Sequence, residues 1–113
     1  MKRISSKRAK ALQISTKVKR EVYERDKGLC VVCGRRGFPE AHYIPRSAGG
    51  LGIEQNIVCL CREHHDLFDF GDGPTMAAIG EVIREHLKKC YPDWNEESLY
   101  YRKYEGVFDE DKT

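Results

Sequence analysis

The stretch Asn56-Ile57-Val58-Cys59-Leu60-Cys61-Arg62-Glu63-His64-His65-Asp66-Leu67-Phe68-Asp69-Phe70-Gly71 decides the fold. Ile57 to Leu60 is a short β-branched run that reads as a strand. Cys61 to about Phe70 reads as a helix stopped by Gly71. Cys61 and His64 straddle this strand-to-helix junction with the x2 spacing of half a metal site. The other half lies upstream in Cys30-Val31-Val32-Cys33-Gly34, a tight knuckle whose glycine permits the positive-φ turn that turns two thiolates towards one ion. Together Cys30, Cys33, Cys61 and His64 make the closed Cys3His set expected of a structural zinc. Cys59 is an alternative donor, since strand alternation could point it the same way as Cys61. The spacing at the junction favours Cys61 with His64.

The remaining composition supports a metal rather than a disulfide framework. Five cysteines, at positions 30, 33, 59, 61 and 90, form an odd set with two close pairs. Disulfide scaffolds prefer an even count and a secreted context. Buried reduced thiols are common, but they do not account for two knuckles. A chain of 113 residues and 13.1 kDa builds one modest core, which a metal staple would reinforce. At 40% hydrophobic and 34% charged residues, with mean hydropathy −0.65, it is globular and polar. No apolar run approaches the roughly 20 residues that span a bilayer, and no apolar segment follows the basic N-terminus. These features predict a soluble, cytoplasmic protein with no membrane partner.

Charge is unevenly spread. Residues 1–62 hold 14 Lys/Arg against 5 Asp/Glu, whereas residues 63–113 hold 6 against 13. A basic first half suits a polyanion, because each neutralised phosphate releases counterions.

The pattern divides the chain into three parts. Residues 1–14, with Lys2, Arg3, Lys7, Arg8 and Lys10 and no acid, read as a flexible basic arm whose weak periodicity leaves room for a partial helix. Residues 15–75 form the zinc-stapled core, and residues 76–113 a helical, aromatic extension packed on it. Within the core, Ser15-Thr16 caps a helix running to about Asp26, with Val18 and Val22 on one face, and Lys27-Gly28 ends it. Residues 40–45 read as a strand closed by proline, and residues 46–52 as a glycine-rich loop. A further helix fits residues 76–90, with Ile79, Val82, Ile83, Leu87 and Cys90 on one stripe and His86 as a boundary histidine. Pro92 ends it, the Tyr/Trp cluster behind it folds back, and residues 109–113 fray.

A second constellation comprises His42, Asn56, His65 and Asp69. Adjacent helical residues point about 100° apart, so His64 and His65 cannot serve one ion from one face. His64 looks back to Cys61, while His65 and Asp69, at i and i+4, share the next face and can jointly hold a second metal. Taken singly, His42 and Asn56 are ordinary polar residues of a strand and a loop.

Taken together, residues 18–71 resemble a zinc-bearing HNH endonuclease. The resemblance is carried by Cys30-x2-Cys33-Gly34, by Ala41-His42-Tyr43-Ile44-Pro45-Arg46-Ser47-x-Gly49-Gly50, and by Asn56-Ile57-Val58-x-Leu60-Cys61-x2-His64-His65-x3-Asp69. It implies an α+β, ββα-metal fold, with a hairpin and a helix pinching a divalent ion, flanked by N- and C-terminal helices. It also implies that His42 is the general base and that Asn56 orients the hairpin loop and the His42 ring. His65 and Asp69 would ligate a catalytic Mg2+ or Mn2+, Arg46 would clamp phosphate, and the substrate would be DNA in a bacterial or phage setting. The chain departs from the family pattern in two places. Ala41 stands where relatives carry an Asp or His ligand directly before the base, and Asp69 stands where many carry a second His. Glu40 should face away from that position. Two rivals follow, a non-catalytic zinc-stapled nucleic-acid-binding module and a protein-interaction domain using the acidic half.

Overall fold

Serine hydroxyls start both N-terminal helices of the computed structural model, which describes residues 6–102. Ser6 accepts from the Ala9 amide at 3.0 Å and opens α1 (Lys7–Leu12). Ser15 does the same for Val18 at 3.1 Å and opens α2 (Thr16–Asp26). Lys27 then adopts a left-handed φ of 58° and closes α2, as its position before Gly28 predicts. The strands β1 (Phe38–His42) and β2 (Ile57–Leu60) pair antiparallel, matching Phe38 to Leu60, Ala41 to Val58 and His42 to Ile57. The connection between them holds a 3-10 turn at Arg46–Ala48. Then come α3 (Arg62–Phe70), α4 (Gly73–Cys90) and a second 3-10 turn at Glu96–Leu99. The architecture is small α+β, with one two-stranded sheet among the described residues.

A hairpin of this size is marginal alone and needs cover on its faces. Ala41, Val58 and Leu60 pack with Ile79, Ile83 and Leu87 of α4. Ile57 and Cys59 pack on Val22 of α2, supported by Ile14 and Val18. No helix among the described residues is long and apolar enough to cross a membrane.

Several boundaries differ from the sequence expectation. β1 covers 38–42 rather than 40–45, because the Tyr43 amide bonds the Asn56 carbonyl and the Ile44 amide bonds the Asn56 side chain, each at 2.8 Å. The chain therefore turns into a loop there. α4 begins at Gly73 rather than 76, since Asp72 accepts from the Thr75 amide at 2.7 Å and Pro74 fits the first turn. Val82 is not on the buried stripe; it is 40% exposed, being turned about 100° from Ile83. Residues 6–14 of the expected free arm include α1, whose Leu12 is buried and whose Ala11 carbonyl accepts from the Gly52 amide at 2.9 Å. The aromatic tail folds back as far as it is described. Trp94 Nε1 donates to the Gln55 carbonyl at 2.8 Å, and Leu99 is fully buried. The expected fraying at 109–113, together with Tyr104 and Phe108, lies outside the described residues.

Where α2 ends, a buried ion pair ties three elements together. Arg25 grips Asp26 through Nε at 2.7 Å and Nη2 at 2.9 Å, and donates to the carbonyls of Glu54 and Ile57, both at 2.7 Å. Asp26 also accepts from the Cys59 amide at 3.0 Å and lies 2.7 Å from His86 Nε2 of α4. His86 is thus the satisfied boundary histidine that its position suggests. Burial alone would raise the Asp26 pKa, but Arg25 and His86 outweigh it and hold the carboxyl at about 2, below the usual 3.8. A depressed native value means that this stabilisation is complete above about pH 4 and is lost as pH falls towards about 2. Melting temperature should therefore drop over that window. Asp26→Asn should cost about 3 kcal/mol in denaturant unfolding at pH 7, because it strands the Arg25 charge, and should flatten the acid limb. An acid limb as steep in the variant as in the wild type would remove Asp26 from this role.

Candidate functional site

The thiol and imidazole donors converge where the first knuckle meets the start of α3. Cys30, Cys33, Cys61 and His64 place their donor atoms all within 4.8 Å of one another, forming the only such group found among the described residues. Cys33 Sγ lies 3.8 Å from Cys61 Sγ, and His64 Nδ1 lies 3.7 Å from Cys30 Sγ and 3.3 Å from Cys61 Sγ. A tetrahedron with zinc–sulfur bonds of about 2.3 Å and a zinc–nitrogen bond of about 2.0 Å has edges of about 3.8 and 3.5 Å. The cage fits a metal such as zinc.

Local chain geometry explains this convergence. Gly34, with φ of 79°, turns the first knuckle, and its amide bonds the Cys30 carbonyl at 2.8 Å. Cys61 is the N-cap of α3, its sulfur accepting from the His64 amide at 3.5 Å. One sulfur thus both starts the helix and sets His64 facing it. Cys59 is excluded from the set: it is fully buried against α2, its Sγ directed at the Val22 carbonyl 3.9 Å away. Burial, with Asp26 nearby, pushes its thiol up to about 12.

The residues of the second constellation lie at the end of β1, in the turn before β2 and on α3. Asn56 is fully buried and spends its whole side chain on that loop. Its Oδ1 accepts from Ile44 at 2.8 Å, while Nδ2 donates to the carbonyls of Ile44 at 3.1 Å and Leu51 at 2.8 Å. Gly50 fits beneath this clasp only because it lacks a Cβ, which would stand 1.7 Å from the Ile44 oxygen. Asn56 therefore holds the loop, and among the described residues it makes no hydrogen bond to the His42 ring. That ring is held by α1, with Nε2 2.9 Å from the Leu12 carbonyl. Burial shifts His42 below the ordinary histidine value, the Leu12 hydrogen bond opposes this, and the charges of Arg46, His65 and Asp69 act on the ring as well. His65 Nε2 and Asp69 Oδ2 stand 3.4 Å apart on α3. Arg46 is exposed at the start of its 3-10 turn. Ala41 is buried among Val58, Leu60 and Ile83, and Glu40 turns away towards Lys19, 4.0 Å off.

Two contributors were not read from sequence. Arg35 donates to Cys33 Sγ at 3.4 Å and Cys61 Sγ at 3.9 Å and is itself held by Glu63 at 2.7 Å. With a divalent ion bound, its positive charge would offset the surplus negative charge of three thiolates. The Arg35-Arg36 pair directly behind the knuckle was the available signal. The Leu12 carbonyl left no signal, because a backbone oxygen has no letter of its own. Comparison of the chain with protein-family models, with curated proteins and with solved structures finds no match.

Elemental analysis should find one zinc per chain, lost in Cys61→Ser together with cooperative unfolding and retained in Cys59→Ser. The reverse pattern would put Cys59 in the donor set in place of Cys61.

Proposed function

We propose that this chain is a metal-dependent endonuclease of the HNH type that hydrolyses phosphodiester bonds in DNA, with zinc as the structural ion and a cytoplasmic place of action. The observation that supports it best is the state of His42. A carbonyl only accepts hydrogen bonds, so the contact with Leu12 puts the ring proton on Nε2. Burial favours the uncharged ring near neutral pH. Nδ1 then carries the free lone pair, and among the described residues it makes no hydrogen bond. A neutral imidazole locked in one tautomer is the arrangement a general base needs.

In this reading Nδ1 takes a proton from water, the water oxygen attacks phosphorus, and the bridging P–O bond breaks with its electron pair on the departing oxygen, which takes a proton from a solvent water. Asn56 keeps the loop that carries Arg46 close to the base, and Arg46 binds a phosphate oxygen. His65 and Asp69 would hold a divalent ion, Mg2+ or Mn2+, which supplies stabilisation of charge on the phosphate when bound. One nitrogen and one oxygen donor fit a metal that keeps several waters.

The buried Ala41 favours a second reading, a zinc-stapled nucleic-acid-binding module that has lost cleavage, because that position gives no third ligand. Plasmid nicking with added Mg2+ or Mn2+ separates the two. His42→Ala should lower cleavage by about 10²–10⁴ with zinc content and DNA affinity kept, and excess Mn2+ should not restore it. His65→Ala should lose activity and partly regain it in Mn2+. Cleavage by His42→Ala at the wild-type rate would end the assignment of His42 as the base and reduce the HNH resemblance to the fold.

A further inference from the structure

Opposite the hairpin loop, near the metal-donor cluster, two arginines share one exposed aromatic ring. Arg36 lies 5.9 Å and Arg62 5.6 Å from the centroid of Phe38, which stays 38% exposed. The three residues come from different elements: the turn before β1, the first residue of β1, and the first residue of α3. Neither arginine pairs with a carboxylate among the described residues. Their neighbour Arg35 is already spent on Glu63 and the thiols. Each arginine is close in sequence to a cysteine of the donor set, Cys33 for Arg36 and Cys61 for Arg62.

We propose that Arg36, Phe38 and Arg62 form a phosphate-binding surface that grips the DNA backbone away from the hairpin loop, with its spacing set by the metal cage. This rests on the nuclease reading for the choice of polymer. A guanidinium seated on a ring has fewer rotamers to lose on binding, and it leaves its N–H fork available to phosphate oxygens. Two unpaired charges held in this way make a fixed contact with the backbone and carry no base specificity.

The test is anisotropy of a labelled duplex of about 20 base pairs, titrated with zinc-loaded protein from roughly 50 to 300 mM salt. Arg36→Gln with Arg62→Gln should reduce the log–log salt slope by about 1–2 and weaken binding about tenfold at low salt. Each single variant should reduce it by about half as much, so misfolding of the double variant leaves the question open to measurement. Phe38→Leu should weaken binding with both charges still present. Arg84→Gln, an arginine already surrounded by Glu81, Glu85 and Glu96, should change nothing.

An unchanged slope in well-folded Arg36 and Arg62 variants overturns the surface. So does loss of polyglutamate binding with DNA binding intact, which would assign the face to an acidic protein. Wild-type affinity in Phe38→Leu overturns the seated-pair argument. A wild type that never nicks, yet shows the slope change, keeps the surface and removes the nuclease. Normal nicking with an unchanged slope does the opposite.

Discussion

Two short strands cannot hold each other, so everything this chain does depends on what grips the hairpin from either side. On the α2 side a polar clasp joins the apolar contact of Val22 with Ile57 and Cys59. Asp26 takes the Cys59 amide, and Arg25 takes the Ile57 and Glu54 carbonyls, so backbone groups of β2 and of the segment leading into it find partners inside the protein. On the other side the grip is apolar, through Ile79, Ile83 and Leu87, with the thiol–imidazole cage at one end. The two fail under different conditions. Acid loosens the first, and removal of a metal bound in the cage would loosen the second.

Elements with strong local chemistry were legible in the sequence. Ser15, the Lys27-Gly28 stop, the β-branched run at 57–60 and the two knuckles each carry their own reason, and each lies where that reason puts it. Positions set by distant partners were not legible. β1 stops early because of Asn56, fourteen residues beyond His42 in the chain, and nothing in residues 40–45 announces this. Val82 satisfies the helical spacing of its stripe, yet it faces out, because periodicity gives a face and not its width. The Asp72-Gly73-Pro74 start of α4 was readable from capping rules.

The candidate site was legible by residue type and less so by support. Asn56 belongs to the loop, while the His42 ring is steadied by a helix that composition alone suggested was a loose arm. A basic, weakly periodic segment gives no hint that one leucine and two carbonyls will anchor it. In the proposed nuclease, the N-terminal helix is therefore part of the site's framework as well as a source of charge.

Cys61 is the N-cap of α3 and also one of the four donors of a cage that could hold a metal, and this has a bearing on strand alignment during folding. A two-residue slip of β2 would preserve its inward and outward faces, so the hydrophobic pattern alone would not reject it. The slip would bring Cys59 to the junction, five residues from His64 in place of three. A cysteine so placed cannot cap the helix at its third residue and also meet that imidazole. An ion held by all four donors rewards only the alignment in which the count is right. A metal bound there would act as a checksum on the hairpin, rejecting a misthreaded intermediate that burial by itself would accept.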